Sequence, residues 1–142
     1  MAEKIQFLGR SRFLDKYKRK HIRQSLHTLC VKNNYIIESL VYVHQSDEEL
    51  LKINQSALQH DTYTDIITFD LSDTEGEIDG EVYISIDRIK ENASLFGVGF
   101  YNEYCRVLSH GLLHLMGFKD KTIEERNEMK KQEDLALTIF GG

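Results

Sequence analysis

The sequence contains no proline and no tryptophan, and only two cysteines among its 142 residues. Without proline there is no polyproline linker. No repeat or low-complexity segment marks a boundary either, so residues 1–142 read as a single domain. Cys30 and Cys105 are too few for a disulfide framework and too far apart for a CxxC knuckle. They read as two buried thiols in a reducing compartment. No apolar run approaches the roughly 18 residues a membrane span needs. The opening stretch MAEKIQFLGRSRF lacks the apolar core of a secretory signal. The expectation from these absences is a cytoplasmic protein with no membrane partner. A 41% hydrophobic share beside 29% charged residues then points to one packed globular core rather than a disordered chain.

What is present is unevenly distributed. The net charge is −5, yet Arg10, Arg12, Lys16, Lys18, Arg19, Lys20 and Arg23 stand against Asp15 alone within one short stretch. A basic face on an acidic protein suits a polyanion, so Arg10, Arg12, Lys18, Arg19, Lys20 and Arg23 are candidate RNA-contacting residues. The same residues are also ordinary helix formers on a solvated face.

Hydrophobic spacing gives the element order. KIQFL reads as a first strand, and Phe13 to Lys32 carries apolar residues at helical intervals. YIIESLVYVHQ has the β-branched and aromatic content of a strand. Ser46 and Glu49 have the spacing of a capping box that opens a second helix. TDIITFDLS and GEVYISI read as strands joined by a hairpin or a longer loop. A short helix follows, with Asp87 as expected N-cap and Gly97 as expected C-cap. Then comes a helix over YNEYCRVLSHGLLHLMG, and a last one opened by the Thr122/Glu125 capping box and running to about Ile139. This is an α+β pattern: a small mixed β-sheet packed with about five helices.

The penultimate helix holds the chemistry. His110 and His114 are four apart, which puts both imidazoles on one face with Cβ atoms about 6 Å apart. Two neutral imidazoles so placed can share a tetrahedral cation. Gly117 ends the helix one turn later, and Asp120 can return its carboxylate to the same ion. Such a set leaves one coordination position open for water, as in catalytic zinc sites. Gly111 costs helix propensity, about 1 kcal/mol, and is explained if the sheet or a substrate must approach the helix there. An HxxxH pair also occurs as two hydrogen-bonded core histidines, so the later Gly117 and Asp120 carry much of the argument.

HGLLHLMGFKD resembles the signature of the YbeY family of zinc-dependent endoribonucleases, H-G-x-L-H-L-x-G-[YF]-D-H. TDIITFD is similar to the family block T-D-V-L-S-F-P, DGEVYIS to its G-D-I-x-I-S strand, and Met129 with Glu133 to its M-x-x-x-E. The likeness spans roughly residues 50 to 135. It implies a small mixed sheet with helices around it and one zinc ion per chain, held by His110, His114 and Asp120. It further implies cleavage of single-stranded RNA in 16S ribosomal RNA 3′-end maturation and ribosome quality control. The implied partners are ribosomal RNA precursor and the small ribosomal subunit. Two positions depart from the family: Asp120 stands where it has a third histidine, and Leu58, four residues after Asn54, where it usually has an arginine.

Catalytic assistants are weakly marked. Asp65 and Thr64 fall in a matching block at the entry to a strand and are candidates beside a zinc-held water, although turn chemistry also explains them. His21, His27, His44 and His60 have no spacing that recommends one of them. Two other function classes stay open: an RNA-binding ribosome-assembly factor with a metal site and little or no cleavage, and a zinc metallopeptidase. A peptidase of the HExxH type needs a glutamate after its first histidine, and Gly111 occupies that position.

Overall fold

The computed structural model describes residues 3–57 and 64–141. Leu58 and His60 therefore lie outside the described residues. The chain runs β1 (Ile5–Gly9), α1 (Lys16–Lys32), β2 (Ile36–Gln45), α2 (Asp47–Ala57), β3 (Ile66–Asp70) and β4 (Glu77–Ser85). It continues through α3 (Ile86–Phe96), α4 (Phe100–Leu115) and α5 (Ile123–Gly141). The four strands form one sheet in the order β1-β2-β4-β3. β2 is parallel to both β1 and β4, and β3 pairs antiparallel with β4. The fold is thus the mixed sheet with five helices that the sequence pattern implies, and the β3–β4 connection is a hairpin.

Alternation along the strands builds the buried face. Leu40, Tyr42 and His44 of β2 point inward at period two, as do Ile78, Val82 and Ile84 of β4. α4 supplies most of the opposing layer: Tyr104, Leu108 and Leu112 have no accessible surface, and Val107, Leu113 and Leu115 are buried beside them. Tyr42 ties the layers together by donating its hydroxyl to the Leu108 carbonyl at 2.9 Å. Cys30 and Cys105 are both buried free thiols, each pushed up to about 12 by burial.

Gly111 is where the sheet comes closest to α4. A Cβ there would lie 2.8 Å from Val82 Cγ1 and 3.0 Å from Ile66 Cδ1, so only glycine lets the helix sit this deep on β3 and β4. Of the two explanations for this residue, the close approach is to the sheet.

Local signals behave unequally. Ser46 and Glu49 exchange hydrogen bonds as a capping box, and Thr122 and Glu125 do the same. Gly97 is the left-handed C-cap of α3. The N-cap of α3 is Ser85 and not Asp87. The Asp87 carboxylate instead accepts from the Asp47 N–H at the start of α2, while the Ser85 hydroxyl takes the Arg88 N–H. α1 begins at Lys16, capped by Asp15, rather than at Phe13. Phe13 and Leu14 precede it and pack into the core.

Candidate metal centre

The last two turns of α4 and the loop after it bring three donor atoms together. His110 Nε2 and His114 Nε2 are 2.9 Å apart. Asp120 Oδ2 lies 3.3 Å from the first and 3.2 Å from the second. The reversal that returns Asp120 is a Schellman ending. Gly117, at φ +98°, donates to the His114 carbonyl, and Phe118 N–H reaches back to the Leu113 carbonyl. The Tyr35 hydroxyl donates to the Met116 carbonyl and pins this end of the helix to the start of β2. The three residues are partly buried and together could hold a metal ion.

The donor set fits such an ion. A tetrahedral zinc bonded at its usual nitrogen and oxygen distances separates neighbouring ligands by about 3.3 Å. The two distances to Asp120 match that spacing, and the imidazole pair lies slightly inside it. Three atoms presenting lone pairs to one point repel each other unless a cation or proton lies between them.

Glu133 of α5 sets the tautomer. Its Oε2 accepts from His110 Nδ1–H at 2.6 Å, which leaves the lone pair of a neutral His110 on Nε2, the atom facing Asp120. Its Oε1 accepts from Arg106 at 2.8 Å, and Arg106 also reaches Asp134 at 2.9 Å. Burial alone would lower the His110 pKa, but the hydrogen bond and charge of Glu133, with Asp120 and Asp65, outweigh it and raise it. Burial likewise works to raise Glu133, and the His110 and Arg106 hydrogen bonds hold it below its ordinary value.

A cavity of about 440 Å3 opens on the His114 side of this centre, and two adjoining ones, about 500 and 320 Å3, open on the His110 side. Both are lined by Phe96, Glu103, Arg106, His110, Asp120 and Glu133. The smaller adds Asp65, whose carboxyl is pushed up by burial against the favourable charge of His110. Thr64 stands next to it, but its hydroxyl donates to the Ile66 carbonyl at 3.3 Å within its own turn. A larger cavity, about 750 Å3, lies at the ends of β1 and β2, where Arg10 and Arg12 line it with Phe13 and Phe100. No group of three metal-ligating side chains faces it among the described residues, and the chemistry of the donors outweighs size in placing the site.

The basic stretch divides. Arg10 pairs with Glu49 at 2.8 Å, Arg19 donates to Ser11, and Arg23 donates to the Ile5 carbonyl at 3.0 Å. Lys18 lies over the Tyr101 ring. Arg12 and Lys20 are exposed, with no ion pair among the described residues. The cations that line the metal cleft are others: Arg106, Arg126 and Lys130. Of the remaining histidines, His44 is locked in the core between the Leu8 carbonyl and the Tyr104 hydroxyl, and His21 contacts the Phe140 carbonyl. Neither joins the donor set. Glu133 was visible in the sequence only as half of the M-x-x-x-E match; Arg106, Arg126 and Lys130 carried no signal.

Comparison with known proteins agrees with this geometry. The family model described as Endoribonuclease YbeY matches residues 5–141. A protein named Endoribonuclease YbeY from Cytophaga hutchinsonii is 50% identical over 121 residues, which is 85% of each chain. One of the same name from Porphyromonas gingivalis is 34% identical over 96% of this chain and 90% of its own. The solution structure of a Thermotoga maritima protein superposes with a TM-score of 0.70 at 24% identity, covering 96% of this chain and 88% of that one, a likeness of fold. The chain belongs to the Endoribonuclease YbeY family of RNA-cleaving hydrolases.

Proposed function

We propose that the protein is a zinc-dependent, single-strand-specific endoribonuclease of the cytoplasm. In this reading it acts on ribosomal RNA precursor at the 3′ end of 16S RNA, serves ribosome quality control, and works on the small ribosomal subunit. The observation that carries the reading is the convergence of His110, His114 and Asp120 on one point, beside a cleft that His110 and Asp120 line, in a chain of an endoribonuclease family.

The residues divide the work. His110, His114 and Asp120 would hold the ion, and Glu133 keeps the His110 Nε2 lone pair turned toward its place. Zinc in that position would supply Lewis-acid stabilisation of charge at a phosphoryl oxygen. Asp65, with its raised pKa and its place on the cleft wall, is suited to hold or move a proton at the attacking or leaving oxygen. Thr64 has the weaker claim because its hydroxyl is engaged. Arg12, Lys18 and Lys20 are the members of the basic stretch best placed to meet phosphate, since Arg10, Arg19 and Arg23 also have internal partners. Gly111 leaves no acid at the position directly after His110 in sequence, and the space a side chain there would need is filled by Val82 and Ile66, which disfavours peptide hydrolysis of the HExxH type.

Leu58 in place of the family arginine supports a second reading, an assembly factor that binds RNA and metal but cuts poorly. One assay separates the two. Purified protein is incubated with single-stranded and duplex RNA, with and without chelator, and with zinc restored. Internal cuts in the single strand alone, lost with chelator and regained with zinc, are expected. Binding without cuts assigns the second reading, and chelator-insensitive cuts contradict the metal's role.

A further inference from the structure

The end of α3 and the turn that follows it expose three apolar side chains. Leu95, Phe96 and Val98 are 72%, 64% and 40% exposed. Phe96 and Val98 line the cleft that contains His110 and Asp120, and α5 contributes Arg126, Met129 and Lys130 to the same cleft. The acids present there are already engaged or hidden. Glu133 is taken by Arg106 and His110, Asp120 faces the two histidines, and Glu103 is buried. Arg126 spends one donor on the Lys121 carbonyl, and Lys130 has no ion pair among the described residues. The exposed, unneutralised part of the cleft therefore combines an aromatic face with two cations.

We propose that Phe96, Arg126 and Lys130 form the subsite for the nucleotide adjoining the scissile phosphate. The Phe96 ring stacks on the base, and the guanidinium and the ammonium each take one phosphate of the backbone. Single-stranded RNA offers that alternation of π-face and anion, whereas a duplex keeps its bases stacked inside. Phe96 is then a specificity-determining residue, since an unstacked base must be available to use it. The inference rests on the endoribonuclease reading above.

The test is fluorescence anisotropy with a labelled ten-nucleotide single-stranded RNA over a salt series. The proteins are wild type, Phe96→Ala, Phe96→Trp and the double variant Arg126→Ala/Lys130→Ala. Elemental analysis of each confirms that the metal centre is unchanged. Phe96→Ala is expected to weaken binding roughly 5- to 100-fold, the range for losing one stacked base, while Phe96→Trp retains it. The double variant is expected to reduce the slope of log K against log salt by about 1.4, two phosphate contacts on a single strand. If wild type binds and Phe96→Ala binds equally well, the subsite is overturned and the endoribonuclease reading stands. If wild type itself neither binds nor cuts the RNA, that reading falls and the subsite with it. Wild-type RNA affinity in Phe96→Ala, joined to loss of a concentration-dependent dimer in sedimentation, would assign the apolar turn to a second copy of the chain and overturn the proposal.

Discussion

In the first half of α4, Tyr104 meets His44 Nε2 at 2.6 Å while the Leu8 carbonyl takes the Nδ1 proton at 2.9 Å. Phe7, Phe13 and Tyr104 surround the ring, and His44 is 1% exposed. Less than two turns later on the same helix, His110 also has one nitrogen fixed, here by Glu133, but its other nitrogen faces His114 and Asp120 beside an open cleft. The difference lies in the second nitrogen. A histidine with both nitrogens satisfied by neutral protein groups is a piece of core. One held by a carboxylate at one edge, with a converging donor set at the other, has the surroundings that suit a metal ligand.

The sharpest way to break this comparison is to remove a ligand. Wild type is expected to carry about one zinc-like ion per chain, and His110→Ala or His114→Ala to carry almost none, because two remaining donors seldom retain the ion. His44→Gln should keep full metal content. Elemental analysis reads all of these; metal lost from His44→Gln, or kept in both ligand variants, contradicts the division.

Glu133→Gln probes the orienting carboxylate. It keeps the side chain's size but loses the charge that holds the His110 tautomer, so zinc affinity should fall about 10- to 100-fold with the fold intact. Competition against a chromophoric chelator measures it, and unchanged affinity would make Glu133 a mere helix-to-helix contact.

His44 predicts an acid effect. Burial lowers its pKa from 6.5 to about 4, against the Leu8 hydrogen bond. The unfolded chain therefore takes up this proton near pH 6.5 and the folded chain only near 4. Stability from this group is complete above the first value and is lost as pH falls toward the second, by about 3 kcal/mol. Thermal unfolding from pH 7 to 4 should decline less steeply in His44→Gln than in wild type; parallel declines would show that other groups govern acid sensitivity.

The smallest effect is expected at Gly111. Alanine there gains helix propensity but presses on Val82 and Ile66, and Val82 is stiff about χ1. The net cost should be about 1 kcal/mol, and Val82→Ala in the same chain should relieve part of it. Denaturant unfolding of the single and double variants reads the coupling.

Much of this architecture was legible in one dimension because its causes are local. Helical spacing, two capping boxes, and the Gly117 stop each depend on residues within a turn of one another. The N-cap of α3 was misread because Asp87 is drawn to the start of α2, 40 residues away in sequence. The basic stretch looked uniformly available because charge counting cannot see that Glu49, Ser11 and the Ile5 carbonyl already occupy three of its arginines. The convergence of His110, His114 and Asp120 could be read from spacing alone. Its carboxylate support could not, since Glu133 reaches His110 from a different helix across 23 residues.

Asp120 carries the central claim, that a carboxylate completes a three-ligand centre with His110 and His114. Titration of zinc into chelator-stripped wild type, Asp120→Ala and Asp120→His tests it most directly. The account predicts one tight site in wild type, at least tenfold weaker binding in Asp120→Ala, and a retained site in Asp120→His, where an imidazole replaces the carboxylate. Zinc bound as tightly by Asp120→Ala as by wild type would contradict it.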